Sequence, residues 1–259
     1  MEKSKLNSLF KRTASALVLA PLVLGGLLTG WYSFALLVML ISSLLAWEWS
    51  NMVPNNKSTV YSMTYFLAAA CAISFANVYY VLAVILSATV FVFFKAKGEQ
   101  HRYLLMLGVP YIVLGIGSFV WMYVIFGEMT ILWFVLSVWA VDIGGYVVGC
   151  TLKGPKLAPK ISPNKTWSGL FGAMLFSALM SVAVSWYYGR GVYEVFAILG
   201  MILAVIAQMG DLLESKIKRY LNVKDSSNLI PGHGGIFDRI DGLLFAAPFM
   251  LVIFLFFVY

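Results

Sequence analysis

Apolar runs, each close to the length that crosses a bilayer as a helix, follow one another along almost the whole chain. Short stretches of glycine, proline, asparagine and charge part them. About 20 residues of helix cover roughly 30 Å of hydrocarbon, whereas a membrane β-barrel shows shorter segments of strict alternation. The breaks predict spans at residues 13–28, 31–50, 60–76, 78–94, 103–126, 129–150, 167–188, 193–213 and 242–258, about nine in all. The expected fold is all-α, a polytopic transmembrane helical bundle, and no internal repeat or long linker divides it. Residues 1–259 are read as a single integral membrane domain, with the unusual polar residues concentrated in 142–241.

Composition agrees: 61% of the 259 residues are hydrophobic and 11% charged, more apolar surface than a soluble domain can hide. The basic start and apolar middle of KSKLNSLFKRTASALVLAPLVLGG look like a signal peptide, but no small-residue cleavage site follows, so it is read as an uncleaved first span. Cys71 and Cys150 have no second Cys or His at metal-ligand spacing and are read as packing residues.

Charge orients the bundle. With the N-terminus in the cytoplasm, 17 of the 18 Lys and Arg residues fall on the inner side and only Arg190 outside. That asymmetry explains the net charge of +7 through topology and anionic headgroups, with no nucleic acid partner. The two longest inner loops are then residues 151–166 and 214–241.

The first of these continues as KGPKLAPKISPNKTWSG, where Pro155, Pro159 and Pro163 oppose helix and Lys153, Lys156, Lys160 and Lys165 bring positive charge. Such a loop suits phosphate, or it is a basic surface loop; it lacks P-loop spacing. Just before it, Asp142 in DIGGYVVG is an acid inside a span, beside Gly144 and Gly145, which permit close backbone approach. It serves either a site or helix packing.

The second begins inside a span at AQMGDLLESKIKR, where Asp211 and Glu214 share a helix face with Ser215 beside them and Lys218 and Arg219 a turn further on. After GHGG, Asp238 and Asp241 repeat the spacing around Arg239. A carboxylate in a membrane helix costs about 2.5 to 3.5 kcal/mol facing lipid, so these acids should face protein, water or a cation. Two on one face near a third on a neighbouring helix form a hard-oxygen site suited to Mg²⁺. The alternative is that Asp238 pairs with Arg239 or a lysine and binds nothing. His233 is either a general base or a turn residue among glycines able to form an anion-binding nest. Glu48, between Trp47 and Trp49, is read as an interfacial residue with no role.

SKIKRYLNVKDSSNLIPGHGGIFDRID, residues 215–241, resembles the signature of the phosphatidate cytidylyltransferases, the CDP-diacylglycerol synthases. PKISPNKTWSG at 159–169 and DIGGYVVG at 142–149 resemble the same family, so the likeness lies in the C-terminal half. The resemblance implies an enzyme of phospholipid biosynthesis that joins CTP and phosphatidic acid into CDP-diacylglycerol and pyrophosphate with Mg²⁺, in the cell inner membrane with its site on the cytoplasmic side. It implies Asp211, Asp238 and Asp241 as metal ligands, Asp142 as an outer partner, and Lys160, Lys165, Lys218, Arg219 and Arg239 as phosphate contacts. His233 becomes a phosphate contact rather than a base, and Asn164 and Ser215 hydrogen-bond nucleotide or metal. A second cation and a homodimer stay open.

Two other readings compete. A CDP-alcohol phosphotransferase, another intramembrane Mg²⁺-dependent phospholipid enzyme, would show D-G-x-x-A-R, but Asp241-Gly242 is followed by LLFAA. A cation transporter would bury Asp142 and Asp211 along an ion path, but the lysines clustered with these acids would repel its cargo.

Overall fold

The computed structural model describes residues 20–74, 77–230 and 234–257. Of the first predicted span, residues 13–19 lie outside them, as does His233. The described elements are α1 (20–28), α2 (Trp31–Met52), α3 (Ser58–Ser74), α4 (Val78–Lys95), α5 (Arg102–Phe126), α6 (Glu128–Leu152), β1 (Lys156–Ala158), β2 (Ser162–Thr166), α7 (Trp167–Tyr187), α8 (Tyr193–Tyr220) and α9 (Phe237–Phe257). Among the described residues, seven helices, α2 and α4 to α9, are long and apolar enough to cross a membrane, and α3 is a shorter apolar helix. The fold is all-α and polytopic, with one small antiparallel hairpin, β1–β2.

Most helix bounds fall within a few residues of the sequence reading, and two depart from it. α8 reaches Tyr220 instead of 213, because nothing in DLLESKIKR breaks a helix and Lys218 and Arg219 suit its C-terminal dipole. Its 28 residues span roughly 42 Å at 1.5 Å each, more than the hydrocarbon needs, so its polar last turns project beyond it. α9 starts at Phe237, five residues before the expected 242, because its first turn gains hydrogen-bonding partners that hydropathy does not register. Both cysteines are free and exposed, not packed inside as expected, since helix surfaces facing lipid accept a small apolar side chain.

The chain divides into two units, Met1–Trp121 with Leu221–Ile240, and Met122–Tyr220 with Asp241–Tyr259. In the first, Trp49 of α2 donates Nε1–H to the Leu104 carbonyl of α5 at 3.1 Å and packs with Tyr111 and Phe237, ring centroids 5.3 to 5.7 Å apart. That aromatic trio holds the start of α9 against α2 and α5.

In the second unit, α6, α7 and α8 pack through small residues. A Cβ on Gly144 would lie 2.5 Å from the Gly172 carbonyl and 2.6 Å from Phe176 Cβ, so the two backbones nearly touch. The α6–α7 contact also carries a Ser137–Ser181 hydroxyl pair at 3.1 Å. At Gly200 of α8, a Cβ would meet the Ser177 carbonyl of α7 at 2.6 Å. Apolar surface cannot drive helices together in lipid, so close van der Waals approach and these hydroxyls do that work.

Candidate functional site: a carboxylate cluster and a gripped loop

Where α8 crosses α9, Gly210 and Gly242 remove the side chains that would keep the helices apart. A Cβ on Gly210 would lie 2.6 Å from Phe245 Cβ and 3.0 Å from the Asp241 carbonyl, and one on Gly242 would lie 3.1 Å from the Ala207 carbonyl. An acid adjoins each glycine: Asp211 follows Gly210, and Asp241 precedes Gly242. Asp211, Glu214 and Asp241 come together with one ligand atom from each within 4.8 Å of the others. Glu214 is buried and the other two are half-buried.

Two lysines bracket the trio. Lys165, on β2, places Nζ 2.5 Å from Asp211 Oδ2, and Lys218, one turn after Glu214 on α8, places Nζ 2.8 Å from Glu214 Oε2. Ser215 Oγ donates to Asp211 Oδ1 at 3.3 Å, and Asp241 Oδ1 accepts from the Gly242 amide at 2.7 Å. Three carboxyl groups and two ammonium groups share a partly dry pocket. Carboxylate oxygens so crowded are a donor set for a hard cation, which offsets their mutual repulsion.

Lys165 reaches Asp211 because of how its loop folds. The proline-rich stretch forms a hairpin, with Lys156 opposite Thr166 and Ala158 opposite Ser162. Thr166 ends β2 and caps α7, its Oγ1 accepting from the Gly169 amide at 3.1 Å. Ser168 Oγ closes the base by donating to the Lys153 carbonyl. Along β2 Lys165 is half-buried and Asn164 exposed, and Lys160 is exposed in the turn.

The remaining expected residues are placed differently. Asp142 is exposed on α6, Arg219 is exposed in the last turn of α8, and Arg239 is exposed in the first turn of α9. The Asp238 carboxylate is engaged inside the first unit, accepting from the Ser226 amide at 2.9 Å and the Gly235 amide at 2.8 Å.

The sequence reading assigns no role to two acids. Glu214 shares a helix face with Asp211, and that three-residue spacing is the signal that could place it in the site. Glu48, read as an interfacial residue with no role, is wholly buried within the protein, at 0% exposure. Its Oε1 accepts from Ser227 Oγ at 2.6 Å and the Ile236 amide at 2.9 Å, and its Oε2 accepts from the Phe237 amide at 2.6 Å. Ser226 Oγ, with one proton to give, lies 3.2 Å from Glu48 Oε2 and 3.1 Å from Asp238 Oδ2. A Cβ on Gly235 would strike both the Ser226 hydroxyl and the Glu48 carboxylate, so the loop closes on Glu48 only with glycine there. The Ile230–Gly234 bridge closes the same loop on itself, with Gly234 at φ +85°.

A model of the cytidylyltransferase family matches residues 10–257. A phosphatidate cytidylyltransferase of Rickettsia felis is 32% identical over 264 aligned residues, covering 98% of this chain and 95% of that protein. One of Brucella suis is 45% identical over 129 residues, covering 48% of this chain and 46% of that protein. One of Rickettsia bellii is 44% identical over 125 residues, 45% of this chain and 53% of that protein. The two stronger identities thus span about half the length of the relatives they match, whereas the Rickettsia felis alignment runs nearly end to end.

Proposed function

The chain belongs to the cytidylyltransferase family, and on that premise we propose that it transfers the cytidylyl group of CTP to phosphatidic acid, releasing pyrophosphate and leaving CDP-diacylglycerol in the membrane. The observation that carries this reading is the trio Asp211, Glu214 and Asp241 bracketed by Lys165 and Lys218. Oxygen ligands beside ammonium groups suit a nucleoside triphosphate, which brings its own cation and its own negative charge. We place the protein in the plasma membrane with this site on the cytoplasmic side, where CTP is made.

Asp211, Glu214 and Asp241 would hold Mg²⁺, which when bound neutralises triphosphate charge at the α-phosphorus. Asp238 already accepts from Ser226 and Gly235, which orders the loop, and would offer the ion its remaining lone pairs. As phosphate arrives, Lys165 and Lys218 exchange part of their attraction to Asp211 and Glu214 for the new anion. They are already desolvated and aimed, which is how positioned charge lowers a barrier. Lys160, Arg219 and Arg239, all exposed, would serve as further phosphate contacts, as would His233. Asn164 and Ser215 supply hydrogen bonds, and Asp142 acts as an outer partner.

No strong base is required. The phosphate monoester of phosphatidate has a second pKa of about 6, is largely dianionic at neutral pH, and serves as its own nucleophile. A phosphate oxygen bonds to the α-phosphorus as the bond to the pyrophosphate oxygen breaks.

The test is product identification by mass spectrometry. Purified protein in mixed micelles with CTP, phosphatidate and Mg²⁺ should accumulate CDP-diacylglycerol and pyrophosphate in equal amounts. Folded protein that forms neither would overturn the proposal.

A further inference from the structure

Glu48 lies on α2, far in sequence from the signature, yet its carboxylate takes up the start of α9 and the loop before it. We propose that Glu48 is a positioning residue, whose carboxylate fixes residues 226–227 and 235–237, and with them the first turn of α9, in the conformation that the reaction uses. Asp241 stands four residues beyond Phe237 on that same helix. This inference rests on the cytidylyl-transfer reading for its kinetic consequences, but not for its structural ones.

Glutamate is required by the arrangement of donors. Each oxygen faces one backbone amide that cannot rotate away, Ile236 on Oε1 and Phe237 on Oε2, and each also faces a serine hydroxyl. Four donors converge on the four acceptor positions of one carboxylate. In Glu48→Gln the side-chain NH₂ would confront a backbone N–H in either flip, because both oxygens carry one. Asp238 grips the same loop from within α9.

The location matters as much as the count. The first amides of a helix have no intrahelical acceptors and carry its positive dipole end. Most helices satisfy them with a cap from their own chain neighbour. Here the cap comes from a different helix, so it also fixes where α9 begins relative to α2. The Trp49–Tyr111–Phe237 trio beside it sets the apolar half of the same joint. Ser226 bridges the two acids with one hydroxyl, so the loop between α8 and α9 is held at 226–227 and again at 235–237, on either side of the bridged turn.

The experiment compares wild type, Glu48→Gln, Glu48→Asp and Ser227→Ala as full-length protein in detergent. Hydrogen exchange by mass spectrometry reads the loop, and steady-state kinetics reads turnover. Glu48→Gln should speed exchange of peptides covering 226–237 about tenfold while those from α4 and α6 stay unchanged. Its kcat should fall about a hundredfold with KM for CTP changed less than about threefold, since misplacement acts on the transition state more than on ground-state binding. Glu48→Asp, which keeps the carboxylate, should recover part of kcat. Ser227→Ala, which removes one donor and no charge, should shift loop exchange in the same direction by a smaller factor. Unchanged loop exchange in both Glu48→Gln and Ser227→Ala would overturn the proposal. So would faster exchange throughout Glu48→Gln with none specific to the loop in Ser227→Ala, which would make Glu48 a general packing residue. Wild type that forms no CDP-diacylglycerol would sink the proposed activity, while the exchange data would still decide whether Glu48 holds the loop.

Discussion

Lys165 Nζ lies 2.5 Å from Asp211 Oδ2, joining a β-hairpin to a membrane helix across a sequence gap that no local pattern bridges. A lysine so placed either neutralises the acid and does nothing more, or waits for a second anion. Kinetics separates the two. Lys165→Ala should lower kcat/KM for CTP by about a hundredfold, with Lys165→Arg retaining an intermediate rate. Wild-type kcat/KM in Lys165→Ala would confine Lys165 to pairing with Asp211.

The carboxylate trio predicts a cation site that is measurable without turnover. Mn²⁺ as a paramagnetic stand-in for Mg²⁺ should bind purified protein in detergent, and Asp241→Asn or Glu214→Gln should weaken it by about tenfold or more. Asp238→Asn should weaken it less, because its carboxylate is engaged with Ser226 and Gly235. Equal losses from Asp238→Asn and Asp241→Asn would show that Asp238 is a full ligand.

Adjacent glycines on α6 should behave differently. A Cβ at Gly144 would sit 2.5 Å from the Gly172 carbonyl, whereas one at Gly145 meets nothing closer than 3.7 Å. Gly144→Ala should therefore cost about 1 to 3 kcal/mol and Gly145→Ala close to nothing, read from thermal midpoints in detergent. Equal midpoints for the two variants would contradict the close α6–α7 approach.

The orientation follows from the charge split. Lys160→Cys in a Cys71→Ser, Cys150→Ser background should react with an impermeant thiol reagent only after cells are opened, because the hairpin turn is exposed and expected on the cytoplasmic side. Labelling in intact cells would reverse the topology.

Much of the fold was legible because hydropathy and breakers act locally. The close approach at Gly144 was readable from two adjacent glycines, and the Asp211 and Asp241 neighbourhood from acids at three-residue spacing near a helix end. Glu48 was not. Flanked by two tryptophans it reads as an interfacial residue, and its partners, Ser226, Ser227, Ile236 and Phe237, lie some 180 positions away. The available signal was energetic: an acid amid apolar residues demands a partner, and the nearby sequence offers none. The hairpin was also hidden, since three prolines rule out helix but do not by themselves distinguish an extended loop from paired strands. Asp238 shows the opposite limit, where spacing alone cannot tell a metal ligand from a carboxylate that orders its own loop.

The most direct measurement follows a label from each end of the triphosphate. With phosphatidate and Mg²⁺ present, CTP labelled at the α-phosphorus should pass its label into chloroform-soluble lipid, while CTP labelled at the γ-phosphorus should yield only water-soluble pyrophosphate. Omitting phosphatidate or Mg²⁺ should stop the transfer, and Asp241→Asn should abolish it. Label from the γ position entering lipid, or label from the α position staying in water with folded wild-type protein and both substrates present, would contradict cytidylyl transfer at this site.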